Sequence, residues 1–226
     1  MSAPRPREGN RPPAEDPLPR GRPRSARAHE ATLEAAAGLL LERGLEAVSM
    51  DEVAARAGVS KATIYRWWPT KETLALDALY TQWSAVAPAT TDTGSLRGDL
   101  IELLSPWAHL VDAQPRYAAV VAALLAEART DADFAAEYQR RVLQPRRDQA
   151  RAIFDRAIER GEISPELDVE VALDLIYGPF YHRLLQGHAP LDNAFVKAAV
   201  DLALSGIEPR PAPAPRTPEW SASDSA

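Results

Sequence analysis

Residues 48–74 read VSMDEVAARAGVSKATIYRWWPTKETL, and this stretch decides the fold. Ser49 followed three residues later by Glu52 is a capping box, so a helix should open at Met50. That helix runs to Ala57 and stops at Gly58, a residue that tolerates the left-handed backbone of a helix end. Ser60 is a favoured N-cap for the next helix, which must end before Pro69. A further helix starts at Thr70 and reaches about Val86. Two short helices joined by Ala57-Gly58-Val59-Ser60 make a helix-turn-helix over about 49–68.

Upstream, residues 26–43 predict a helix with Leu33, Ala36, Ala37, Leu40 and Leu41 on one face, ended by Gly44. Together these form a three-helix helix-turn-helix domain over 25–87, with Val53, Val59, Ile64 and Trp68 as its small core. Downstream, 88–207 reads as a helical bundle. Ser95 caps a helix whose stripe is Leu96, Leu100, Leu103, Leu104 and Trp107. Pro115 opens another, through about Arg129. A long helix follows over about 132–160, where Pro145 should bend or break it. Asp168 begins the next, with Val169, Ala172, Leu173, Ile176, Phe180, Leu184 and Leu185 inward and a kink expected at Gly178-Pro179. The last spans about 192–205. The expected fold is all-α with about nine helices and no strand alternation.

The ends differ. Residues 1–24 are rich in Pro, Arg and Gly, and 208–226 read EPRPAPAPRTPEWSASDSA after Ile207. Neither carries apolar periodicity, so both are expected to be disordered. No apolar run approaches the length of a membrane span, and the N-terminus has no secretory h-region. With no cysteine there is no disulfide or thiolate metal site. A cytosolic location is the default expectation.

The net charge of −6 argues against nucleic acid, but its distribution does not. Residues 1–29 hold seven arginines against three acids. From Val53 to Lys71 four bases (Arg56, Lys61, Arg66, Lys71) meet no acid. Local field governs contact with phosphate. On the helix opening at Ser60, Ile64 and Trp68 face inward. Lys61, Thr63, Tyr65, Arg66 and Trp67 are left for the outer face and its edges. Cations neutralise phosphates, hydroxyls bond phosphate oxygens, and arginine reads guanine edges. By composition alone such a basic helix is also compatible with a merely solvated face.

The run from about Arg27 to Val86 resembles the DNA-binding domain of the TetR/AcrR regulators. The matching residues are LLLERG (Leu39–Gly44) and the quoted stretch, above all its GVS turn, Thr63, Tyr65 and Lys71-Glu72. The resemblance implies that Thr63, Tyr65 and Lys71 hold phosphates, that Lys61, Ala62 and Trp67 face or border the groove, and that the Ser49 hydroxyl bonds phosphate. Trp67 stands where many relatives have His or Phe. Ser60 and Arg66 complete the candidate DNA-binding set. The stretch YGPFYHRLLQGHAPL (Tyr177–Leu191) is similar to a subgroup with a related body.

The resemblance further implies a homodimer formed through the last two long helices, about 168–187 and 192–205. A dimer presents two reading heads about one DNA turn apart and so a palindromic site. It implies a ligand-responsive regulator, most often a repressor, whose body takes a small effector. The helix from Thr70 would act as lever between the two parts. Candidate pocket residues are Trp107, His109, Tyr117, Phe134, Tyr138, Tyr177 and Tyr181, with His182 as an interface, core or ligand residue. They combine apolar bulk with a few polar handles, although aromatics at helical spacing are commonly core. The kinks at Pro145 and Pro179 are expected to border the cavity.

An enzyme is the first rival reading. The chain lacks a nucleophile elbow, a Walker loop, a dinucleotide fingerprint and a His-Glu-x-x-His motif. Its four histidines (29, 109, 182, 188) show no ligand spacing, and His182 and His188, six apart, do not share a helix face. No cofactor or metal is expected. A protein-interaction bundle is the second rival; it accounts for the acidic body but not for the basic gap. The arginine-rich arm can add minor-groove or phosphate contacts, or serve as a solubilising tail.

Overall fold

A computed structural model describes residues 22–88 and 92–207. The expected disorder of 1–21 and 208–226 concerns residues outside that range. The described residues form α1 (Arg22–Arg43), α2 (Met50–Ala57), α3 (Lys61–Tyr65), α4 (Lys71–Val86), α5 (Leu96–Ala113), α6 (Pro115–Thr130), α7 (Ala132–Tyr138), a π-helical turn (Gln139–Leu143), α8 (Gln144–Glu159), α9 (Val169–Gln186) and α10 (Asn193–Ile207). Among them there is no strand. Since α7, the π turn and α8 follow without a break, the count agrees with about nine helices, and the fold is all-α.

The first helix begins earlier than expected, at Arg22 rather than 26, so Arg22 and Arg24 belong to α1 and not to the arm. Pro23 is tolerated in a first turn because the N–H it lacks has no intrahelical partner there. Local signals set the other boundaries. Ser49 accepts from the Glu52 N–H while the Glu52 carboxylate accepts from the Ser49 N–H, a complete capping box. Gly58 ends α2 at φ +66°, where a Cβ is strained. Ser60 and Thr70 cap α3 and α4. The recognition-helix segment is shorter than expected: regular helix ends at Tyr65, and Trp67 and Trp68 both donate to the Ile64 carbonyl in a tightening turn before Pro69.

Pro145 acts through the π turn. In an α-helix its ring would meet the carbonyl four residues back and its missing N–H would orphan an acceptor. The chain instead widens just upstream, where the Gln144 N–H bonds the Gln139 carbonyl five residues back. The helix is neither broken nor ended. The α9 helix likewise continues through Gly178-Pro179.

One core cluster runs through both parts of the fold. In the N-terminal part, Ala36, Leu40, Val53, Ile64 and Trp68 are buried together. In the body, Trp107, Phe154, Phe180, Leu104, Leu173 and Ile153 are fully buried. The α4 helix belongs to both, packing on α1 on one side and on α5, α6, α7 and the π turn on the other. Its buried residues Leu74, Ala75, Leu76, Ala78 and Leu79 leave almost no free face. Leu185, expected inward, is instead exposed. The buried stripe of α9 (Leu173, Ile176, Phe180, Leu184) steps by three and four, and Leu185 falls about 100° away from it.

Candidate nucleic-acid interface

The α3 helix stands on two side chains. Ile64 is fully buried, and Trp68 is buried with its indole N–H donating to Asp77 Oδ2 of α4 at 2.7 Å. Asp77 Oδ2 also accepts from Arg141 Nη1 of the π turn at 2.5 Å. The reading helix is thus tied through α4 to the body by a part-buried, charge-assisted pair.

With that face inward, Lys61, Ala62, Tyr65 and Arg66 are exposed and Thr63 half-buried. Tyr65 keeps 44% of its surface, high for a large aromatic ring without an apolar reason to be outside. The Ser60 and Thr63 hydroxyls bond each other at 2.8 Å. Ser49 lies exposed at the start of α2, its hydroxyl 2.9 Å from Glu52 Oε2. Lys71 opens α4, half-buried. Trp67 is half-buried at the edge, its ring 5.2 Å from the His29 ring and under the Arg66 guanidinium, also at 5.2 Å. His29 in turn lies 4.6 Å from Trp68. Sequence reasoning gave His29 no role, because nothing local pairs α1 with a segment 38 residues on.

The bases of this region divide into two groups. Arg56 makes a two-pronged contact with Glu42, and Arg43 pairs with Glu52; both tie helices together. Glu52 is held down to about 2 by its hydrogen bond from Arg43, then by Ser49. Lys61 reaches back to Asp51 at 2.8 Å, which raises its pKa. Among the described residues, Arg66 and Lys71 have no carboxylate partner. Phosphates can replace the exposed Asp51, and Arg66 and Lys71 are free to take others.

The pocket candidates divide as well. Trp107, Tyr117 and Tyr138 line a narrow crevice with Trp83, Val142 and Arg146. Tyr177 and Tyr181 line a cavity of about 350 Å³ between α8 and α9, with Leu143, Arg146, Arg147, Asp174 and Gly178. Residues next to Pro145 and Pro179 therefore do border it. His109 is exposed and lines neither space: two residues beyond Trp107, it points away from the bundle. Phe134 is buried but lines a separate cleft with Pro69, Thr70 and Thr73. Arg146 was missed, although it sits at the head of a buried stripe with Ala150, Ile153, Phe154 and Ala157. His182 and His188, separated by sequence spacing, come within 5.2 Å because Gly187 at φ +60° turns the chain back. Both are exposed. Among the described residues no group of three or more His, Cys, Asp or Glu could hold a metal, and no helix is long and apolar enough to cross a membrane.

Comparison with known proteins agrees with this geometry. Residues 33–78 match the family described as "Bacterial regulatory proteins, tetR family", and residues 90–203 match "Tetracyclin repressor-like, C-terminal domain". The chain is 39% identical over 189 residues to the HTH-type transcriptional regulator YdeS of Bacillus subtilis, covering 84% of this chain and 94% of that one. It is 34% identical to the DNA-binding transcriptional repressor TetR of Mycobacteroides abscessus, over 80% of this chain and 92% of that one. The crystal structure of the TetR family transcription regulator SCO0332 superposes with a TM-score of 0.70 at 37% identity, covering 80% and 99%. With both family matches, relatives above 30% identity over most of their length and a shared fold, the chain belongs to the TetR family of helix-turn-helix transcriptional regulators, which are not enzymes.

Proposed function

We propose that the protein is a ligand-responsive repressor that binds a palindromic operator as a homodimer. The observation that carries the DNA half is the outer face of α3: Lys61, Tyr65 and Arg66 exposed together above a buried Ile64, with Lys71 beside them. In this reading α3 enters the major groove. Thr63, Tyr65 and Lys71 hold phosphates, Ser49 and Ser60 add hydroxyl contacts, and Lys61, Ala62, Arg66 and Trp67 lie at the base edges. The repressor relative at 34% identity supports the sign.

Dimerisation is supported by α9 and α10. Val171, Leu175 and Leu185 of α9 are 62%, 49% and 52% exposed, and Leu202 of α10 is 75% exposed. On α9 they follow a seam of three and four residues through Gly178 and His182. Large apolar side chains in such a row signal a partner surface. A two-fold pairing of these helices sets two α3 helices about 34 Å apart. The domain division 25–87 and 88–207 fits the matched regions, with α4 as the shared lever. The effector reading rests on the cavity of about 350 Å³ beside α9.

The test is a titration of the protein with duplex from its own upstream region at several salt concentrations. Tyr65→Ala with Lys71→Ala weakens binding to every sequence and lowers the slope of log K against log salt by about 1. Unchanged affinity refutes the phosphate assignment. Light scattering should give a dimer, and Leu175→Glu with Leu202→Glu should give a folded monomer. A wild-type monomer at micromolar concentration refutes the assembly.

A further inference from the structure

Five arginines lie between residues 140 and 151. Four have carboxylates: Arg140 with Glu137, Arg141 with Asp77 and Glu137, Arg147 with Glu170 and Asp174, Arg151 with Asp148 and Glu170. Arg146 is the most buried of them, at 9% exposure, and among the described residues no carboxylate pairs with it. Its surroundings are aromatic. The guanidinium carbon lies 4.5 Å from the Trp107 ring, 5.1 Å from Trp83 and 5.8 Å from Tyr177. Among the described residues its one hydrogen bond is a long one, 3.4 Å to the Tyr181 hydroxyl. A guanidinium carries five N–H donors in a planar fork.

A buried cation without a counter-ion is costly, and the exposed carboxylates of Asp148, Glu170 and Asp174 close by show that the sequence could supply one. The phenols around it do not serve. Burial pushes Tyr117 up to about 12 and raises Tyr138 and Tyr177, so they stay neutral and act only as hydrogen-bonding groups. Ring faces stabilise a cation but leave its in-plane N–H donors unused. Arg146 stands in the walls of both the crevice and the larger cavity, so those donors border both spaces.

We propose that this cavity is an anion site: Arg146, held flat by Trp83, Trp107 and Tyr177, takes the carboxylate of an otherwise apolar organic acid. The inference rests on the effector reading above and names its chemical class. The fork of Arg146 matches a carboxylate two-to-two. Tyr181 supplies a further hydroxyl, and the apolar body lies along Leu143, Tyr177 and Gly178. The acid provides the charge that the protein omits.

Calorimetric titration of the full-length protein with matched pairs tests this: 1-naphthoate against 1-naphthamide, decanoate against decanamide, with 1-naphthyl phosphate as a separate arm. At least one acid should bind about tenfold or more tightly than its amide and release operator DNA. Arg146→Met keeps the length and removes the charge; circular dichroism checks its fold, and the acid preference should vanish. Arg146→Lys keeps a charge but not the fork, so acid affinity should fall about tenfold with amide affinity unchanged. Tighter binding of the naphthyl phosphate would assign the head group to phosphate and overturn the carboxylate. Equal binding of acids and amides, with release of DNA, overturns the anion site and leaves the effector reading intact. A preference that survives Arg146→Met or Arg146→Lys unchanged overturns the role of Arg146. No binding by any compound at millimolar concentration overturns both readings.

Discussion

Replacing Asp77 by Asn removes one charge and changes almost no volume, and it strikes a polar tie between α3 and the body. Asp77 Oδ2 accepts two hydrogen bonds, from the Trp68 indole at 2.7 Å and from Arg141 at 2.5 Å. An asparagine oxygen in that place can still accept from both donors, but as a neutral acceptor. Trp68 is 1% exposed, so its N–H cannot find water; the asparagine oxygen should go to it. Arg141 then loses the charge of its partner. It is 27% exposed and keeps Glu137, so part of the loss is recovered by water and by that second carboxylate. A charge-assisted bond is worth about 1.5–3 kcal/mol; with this recovery the expected loss is about 1–2 kcal/mol. For a chain of this size that lowers Tm by about 2–8 °C. The assay is thermal unfolding by circular dichroism, run as a cycle with Trp68→Phe, which removes the indole donor. The two changes should be non-additive by about 1 kcal/mol, because both act at the same Asp77 oxygen. A Tm within about a degree of wild type, or strict additivity, would show that this tie carries no free energy.

Ile64→Ala empties a fully buried site under α3 and should cost about 2–5 kcal/mol in chemical denaturation; below about 1 kcal/mol, the two walls must close over the gap. Gly58→Ala meets no atom within 4 Å, so only its left-handed backbone at φ +66° is penalised, by about 1–2 kcal/mol; a larger loss would reveal a contact this geometry lacks. Glu52 sits below its ordinary pKa, so its share of stability is full above pH ~4.5 and is lost as pH falls through about 2. Glu52→Gln should therefore flatten the acid limb of Tm against pH and leave its shape near neutrality unchanged.

What was legible in the sequence was local. Caps at Ser49, Ser60 and Thr70, the stop at Gly58 and the apolar steps of α1 depend on residues within one or two turns, and the structure repeats them. The outer face of α3 followed from the same spacing. The pocket was half legible. Trp107, Tyr117, Tyr138, Tyr177 and Tyr181 do surround adjoining spaces, because large rings in a bundle gather where helices diverge. His109 and Phe134 shared their chemistry but not their direction. The central group, Arg146, was hidden by its type: a cation heading an apolar stripe reads as a surface residue until burial is known. Likewise nothing local joins Trp68, Asp77 and Arg141, the last two 64 residues apart.

The irregular part of the long helix explains why these hidden residues lie together. Arg141 lies within the π turn and reaches α4, while Arg146, just past Pro145, enters the aromatic cage. That turn has hydrogen bonds to carbonyls five residues back and is the single departure from α-helix within the described helices. Arg141 carries the link to Asp77 and Trp68, beneath the reading face; Arg146 carries the unpaired charge beside the cavity. A ligand on Arg146 that binds one arrangement of this turn better than another would shift the position of Arg141, and with it the footing of α3. In the anion-site proposal, only one short turn and one carboxylate separate Arg146 from Trp68 at the base of α3.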